Sequence, residues 1–183
     1  MLNFENGKKI VRLAYLTNLG AAALQLLSNL FYLLFDSNNL AVIIGGIVTL
    51  AAFVGAAATI VGFGIMWYTK KEILLIGVPA VYVVNFILGF INGFIIELGV
   101  YEFASILTLL TSIVSLGEYG VWFLLIKNKN KNFALGLLGV CGIGALLALI
   151  TFAAGSSVVT TLISSLVFCI GMGICFLSAD QLD

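Results

Sequence analysis

Charge is scarce in this chain and histidine is absent. Of 183 residues, eight are Lys or Arg and eight are Asp or Glu, so charged side chains make up 9% of the whole. A soluble domain carries about 25%. With 62% apolar residues and a mean hydropathy of +1.23, the chain has too little polar surface to cover a water-soluble fold. Without histidine, the H-E-x-x-H zinc-protease motif is excluded, and no phosphate-cradling glycine loop or intramembrane aspartate pair is present. Ser115 is only a helical neighbour of Glu118, not a nucleophile–base pair, so the sequence points away from an enzyme. The basic residues are too few for a nucleic-acid surface. Three cysteines, Cys141, Cys169 and Cys175, have no metal-ligand spacing and an odd count. They read as small apolar packing residues, and no metal or cofactor is expected. Cys175, placed near a membrane surface, is also a weak candidate for acylation.

What is present is long apolar runs. Uncharged stretches cover 13–35, 37–69, 73–96, 103–117 and 132–179. A membrane-spanning helix needs about 20 mainly apolar residues. The stretch at 103–117 reaches that length by continuing through Glu118 to Ile126. The last is too long for one helix and breaks at Gly155-Ser156-Ser157. The expectation is an all-α integral membrane protein of one domain, 1–183, with spans near 13–35, 42–68, 73–96, 103–126, 133–153 and 158–178. These six helices pair as three hairpins. The first segment is too long for a signal peptide and carries Asn18, Gln25 and Asn29, so it reads as a permanent helix. The runs are too long and too continuously apolar for β-barrel strands.

Every basic residue falls in one of three places: Lys8, Lys9 and Arg12 before helix 1, Lys70 and Lys71 after helix 2, and Lys127, Lys129 and Lys131 after helix 4. With six spans these places share one side. The other side receives Asp36, Glu97 and Glu102, which read as solvated loop residues or as cation-gathering groups at an outer mouth. The positive-inside rule then puts both termini in the cytoplasm, in the cell membrane. Trp67, Tyr68, Trp122 and Phe123 stand beside the basic clusters as interfacial aromatics. The ends of helices 2 and 4, Gly62–Trp67 and Gly117–Trp122, resemble each other, and Gly171–Phe176 stands at a similar place in helix 6. An internal repeat of the hairpins and a chance likeness both remain open.

Polar residues inside the spans fall into stripes. Helix 1 places Asn18, Ala22, Gln25, Asn29, Tyr32 and Asp36 at alternating steps of 4 and 3, which keeps them on one face. Helix 3 does so with Tyr82, Asn85, Gly89 and Asn92, and helix 4 with Ala104, Thr108, Thr111, Ser115 and Glu118. An amide in hydrocarbon must find a partner, so these stripes should face protein or water. Asn29, Asn85 and Glu118 are therefore expected to share one interior. Either the stripes line a solute path or they tie helices together.

Glu118 is the sharpest single residue. It precedes Ile126 by eight positions, or roughly 12 Å of helix at 1.5 Å per residue, which places it near the bilayer centre. An acid there costs about 2.5–3.5 kcal/mol to insert, and no basic residue shares its depth. It is expected to be neutral or to meet a cation supplied from outside the sequence. One reading is a proton, cation or amine site; the other is structural glue.

Helices 2, 5 and 6 carry small residues instead: Ala51, Gly55, Ala58 and Gly62; Gly136, Gly139, Gly142, Gly144 and Ala148; Ser165, Cys169 and Gly173. Such ladders allow close backbone approach and read as packing faces. Some could serve a second copy or a partner subunit. Pro79 is expected to kink the early part of helix 3.

The functional expectation is a small multi-pass carrier or channel for a small solute or cation. Its polar path would run on helices 1, 3 and 4 through Glu118, Ser115, Thr111, Asn85, Asn92, Gln25 and Asn29. The alternative is a non-catalytic subunit of a larger membrane complex, such as a substrate-capture subunit of an energised transporter. Expected partners are the lipid bilayer, a second copy or a membrane subunit, and the small solute or cation; nucleic acid is not among them. Inward-facing ladders on helices 2, 5 and 6 would suit a self-contained carrier, and outward-facing ones a partner.

Overall fold

A computed structural model describes residues 3–35 and 38–182, with side chains described outside 35–41; Asp36 lies outside the described residues. Six helices account for almost all of it: α1 (Phe4–Phe35), α2 (Asn38–Lys70), α3 (Leu74–Glu97), α4 (Tyr101–Ile126), α5 (Lys131–Ala154) and α6 (Val158–Ser178), closed by a short 3-10 turn, η1 (Ala179–Gln181). All six are long and apolar enough to cross a membrane, which is compatible with an integral membrane protein.

Local chemistry explains where the helices begin and end. α1 starts well before the apolar stretch at residue 13. The Asn3 side chain caps it by accepting from the Asn6 amide at 2.8 Å, and Glu5 pairs with Lys8 one turn on. Charge ends an apolar span but not a helix. α3 runs through Pro79 without a break. α5 stops at Gly155, whose φ of +81° lies in the left-handed region that glycine tolerates. Ser157 then opens α6 with a capping box to Thr160. The break expected at Gly155-Ser156-Ser157 is where the chain turns.

The helices form a closed ring in chain order. α1 packs on α2 and α6, α3 on α2 and α4, and α5 on α4 and α6. Lipid tails are as apolar as leucine, so such contacts depend on close fit more than on expulsion of water. The glycines supply that fit. A Cβ at Gly62 would strike Val11 and the Gly7 carbonyl, one at Gly55 would overlap the Asn18 carboxamide, and one at Gly171 would enter the Tyr119 ring. Gly136 and Gly144 likewise face Ile174 and Leu116. The ladder of α2 thus points at α1, and Gly136 and Gly144 of α5 point at α6 and α4, whereas a Cβ at Gly173 of the α6 ladder would meet only Leu19 at 3.9 Å and one at Gly139 or Gly142 would meet nothing within 4 Å among the described residues.

The two ends of the ring differ. One end gathers the basic residues and the C-terminus. Lys8 donates to the Leu182 carbonyl at 3.2 Å, Lys129 to the Gln181 carbonyl at 2.9 Å, and Arg12 pairs with Asp180 at 2.8 Å. Lys70 sits over the Phe4 ring and Lys71 over Trp67 and Tyr68. Beneath them the centre is solid: Tyr15, Phe63, Met66, Leu75, Trp122, Ile126, Cys175 and Leu182 are each 2% exposed or less. Cys175 is therefore a core residue, out of reach of acylation. Toward the opposite end the helices enclose space.

Candidate functional site

Glu118 sits in the solid half, at 5% exposure, where two chains of donors converge on it. The Trp122 indole N–H donates to the Tyr15 hydroxyl at 2.6 Å, and Tyr15 donates to Glu118 Oε1. On the other side the Asn18 amide donates to the Tyr82 hydroxyl at 3.2 Å, and Tyr82 donates to the same Oε1 at 2.9 Å. Each phenol has one hydrogen and spends it on the carboxylate, so Glu118 is the common acceptor. Tyr15 and Phe63 also meet the Trp122 ring edge to face, at centroid distances of 5.1 and 5.7 Å. The network joins α1, α3 and α4 across the ring. Among the described residues the ion pairs are Glu5–Lys8 and Arg12–Asp180, both at the basic end, so phenols rather than a cation answer this carboxylate.

Above this plug lies a cavity of about 840 Å³. It is bounded by α1, α4, α5 and α6, with Tyr101, Gly155 and Ser156 at the rim and Leu116, Tyr119 and Gly144 at the floor. The rim belongs to the end away from the basic residues. The volume lies within the range of about 300–1,000 Å³ usual for small-molecule sites. Its walls are hydroxyl, amide and apolar groups; among the described residues none of the lining side chains is charged.

The residues singled out in the sequence divide between these two regions. Gln25, Asn29 and Ser115 line the cavity. Gln25 donates to Asn29 at 3.0 Å, and Asn29 donates to Ser165 of α6 at 2.9 Å, which ties α1 to α6 along the wall. Asn85 stands behind the α4 wall and donates to Ser115 at 3.1 Å; Asn92 donates to Thr108 at 3.0 Å. Of α3, only Ile96 belongs to the lining. Thr111 is turned aside, with its hydroxyl on the Leu107 carbonyl at 2.8 Å. Glu118 lies below the floor. Asn29, Asn85 and Glu118 therefore occupy cavity wall, helix seam and plug, rather than one shared chamber.

The α4 wall is turned by one residue from the expected stripe, so that Ser105 and Ser112 join Thr108 and Ser115. The α6 wall carries Thr160, Thr161, Ser164 and Ser165, of which the sequence reading of helix 6 as a packing face on Ser165, Cys169 and Gly173 includes only Ser165. Four hydroxyls within six residues were the available signal. Tyr15, which completes the plug, stands three residues before Asn18 and so continues the polar stripe of helix 1; that spacing was the available signal. Comparison with protein-family models, curated proteins and solved structures finds no match for this chain.

Proposed function

We propose that the protein is a small solute carrier of the cell membrane, holding its solute in the cavity between α1, α4, α5 and α6. In this reading the six helices are three hairpins, both termini are cytoplasmic, and the cavity opens outward. The observation that carries it is the asymmetry of the ring: an uncharged cavity, mostly apolar but set with hydroxyls and amides, reaches in from one end and stops on a solid plug at the other. A channel needs a continuous path, and the side chains from Tyr15 to Leu182 stand in the way. A site that is open on one side and closed on the other is what alternating access requires. The inward ladder of α2, with Gly136 and Gly144 of α5, supports a self-contained unit.

The second reading is a capture subunit that binds the solute and passes it to an energised partner. The outward face at Gly139 and Gly142 favours it, since nothing among the described residues packs there.

One experiment separates the two. On a cysteine-free background, Ser112→Cys should react with a membrane-impermeant thiol reagent added from outside. Small metabolites are then screened for protection of that thiol. A protecting solute that also enters sealed vesicles containing this protein alone establishes a carrier. Protection without entry assigns the capture role. No protection by any solute overturns both.

A further inference from the structure

Resting on the reading of the cavity as a solute site, we infer that its solute is uncharged and presents a hydrogen-donating edge to α4: a polyol, an amide or an N–H-bearing ring. The inference comes from counting hydroxyl hydrogens. Along α4, Ser105, Thr108, Ser112 and Ser115 all line the cavity. Each donates its one hydrogen to the carbonyl four residues earlier, at 2.8–3.0 Å. A hydroxyl has one hydrogen and two lone pairs. These four oxygens therefore meet a solute as acceptors, unless an existing bond is broken.

The neighbours point the same way. Asn92 and Asn85 donate to Thr108 and Ser115, as a hydroxyl with a spent hydrogen requires. The buried Oδ1 atoms of both asparagines have no partner. This side of the ring has more acceptors than donors. Across the cavity, Thr161 and Ser165 also donate to their own helix, at 2.9 Å each. The strip on α4 runs ten steps from Ser105 to Ser115, about 15 Å at the helical rise, which is long enough for several donors in a row.

Charge is excluded by cost. Along α4 an anion would meet lone pairs, and no lining side chain is basic. A cation would meet acceptors but no carboxylate, because Glu118 lies outside the lining and is occupied by Tyr15 and Tyr82. A bare ion in such surroundings is strongly disfavoured. The body of the solute is apolar or aromatic, since Leu109, Leu147, Phe152, Val167 and Phe168 fill the space between the hydroxyls.

The test uses one skeleton in four forms, titrated against the full-length protein in lipid nanodiscs by saturation-transfer NMR. They are dihydroxybenzamide, its fully methylated counterpart without donors, dihydroxybenzoate as the anion and dihydroxybenzylammonium as the cation. Dihydroxybenzamide should bind at least about tenfold tighter than the methylated form, a difference of about 1.4 kcal/mol. Ser105→Ala combined with Ser112→Ala should erase most of that preference while leaving the methylated form unchanged. Both hydroxyls bond only within their own helix, so the fold should survive, and an unchanged melting temperature checks it. Equal or tighter binding of the methylated, anionic or cationic form, or a double variant that keeps the preference, overturns the assignment of solute class. If any form saturates the protein and Ser112→Trp abolishes it, the cavity reading stands regardless. If none of the four saturates, both fail.

Discussion

Tyr15 on α1 donates a hydrogen bond to Glu118 on α4, 103 positions away, across the middle of the helix ring. The two helices are not neighbours in the ring. The bond therefore closes its centre, and with Trp122 and Tyr82 it divides a sealed half from an open one. This relationship gives Glu118 its meaning. The carboxylate is a keystone of the plug, and its role in a transport cycle would be to let that plug open.

Replacing Glu118 tests this role directly. Glu118→Gln keeps an oxygen able to accept from both phenols and should fold with little loss. Glu118→Ala leaves Tyr15 and Tyr82 without their acceptor, at about 1–3 kcal/mol for each buried orphan, and should lower thermal stability in detergent. Solute binding should survive in Glu118→Gln, because the residue lies outside the cavity lining. Passage across vesicles, and its pH dependence, should be lost. Full, pH-dependent passage in Glu118→Gln would reduce the residue to structural glue.

Topology has its own check. With the three basic clusters at one end of the ring, Lys129→Cys on a cysteine-free background should label only from the cytoplasmic side. With the plug closed, Ser112→Cys should label from the other. External labelling at position 129 would invert the orientation.

The glycines predict a contrast within one residue type. Gly171→Ala places a methyl group in the Tyr119 ring and should cost about 1–3 kcal/mol through overpacking. Gly139→Ala meets open space and should be neutral or slightly stabilising in the isolated protein. Equal melting temperatures for the two would contradict the packing described for α6 against α4. Reduced co-purification of another membrane subunit by Gly139→Leu, with the fold intact, would favour the capture reading.

Asn29 predicts a loss confined to the cavity. Asn29→Leu removes the bridge from Gln25 to Ser165. Such bonds average about 0.6 kcal/mol in membranes, so stability should fall only slightly. Protection of Ser112→Cys by a bound solute should weaken more than that, because the α1–α6 wall loses its tie. A large drop in melting temperature with unchanged protection would mark Asn29 as glue alone.

The sequence by itself determined the number of helices, the break at Gly155 and the gathering of Lys and Arg at one end of the ring, though not where α1 begins. These features are legible because hydropathy, capping and charge act over a few residues. It also marked Glu118, Gln25, Asn29 and Ser115 as polar groups needing partners. Only the tertiary structure decided which partners. A stripe at helical spacing fixes a face but not the rotation of the helix in the ring. That rotation is set by contacts such as Gly171 on Tyr119 and Asn18 on Gly55, between residues far apart in the chain. A turn of one residue on α4 exchanges Thr111 for Ser112 at the cavity wall. Ring order brings the hydroxyls of α6, rather than the amides of α3, to face it. The cavity and the plug exist because six helices close on one another, and no local pattern carries that closure.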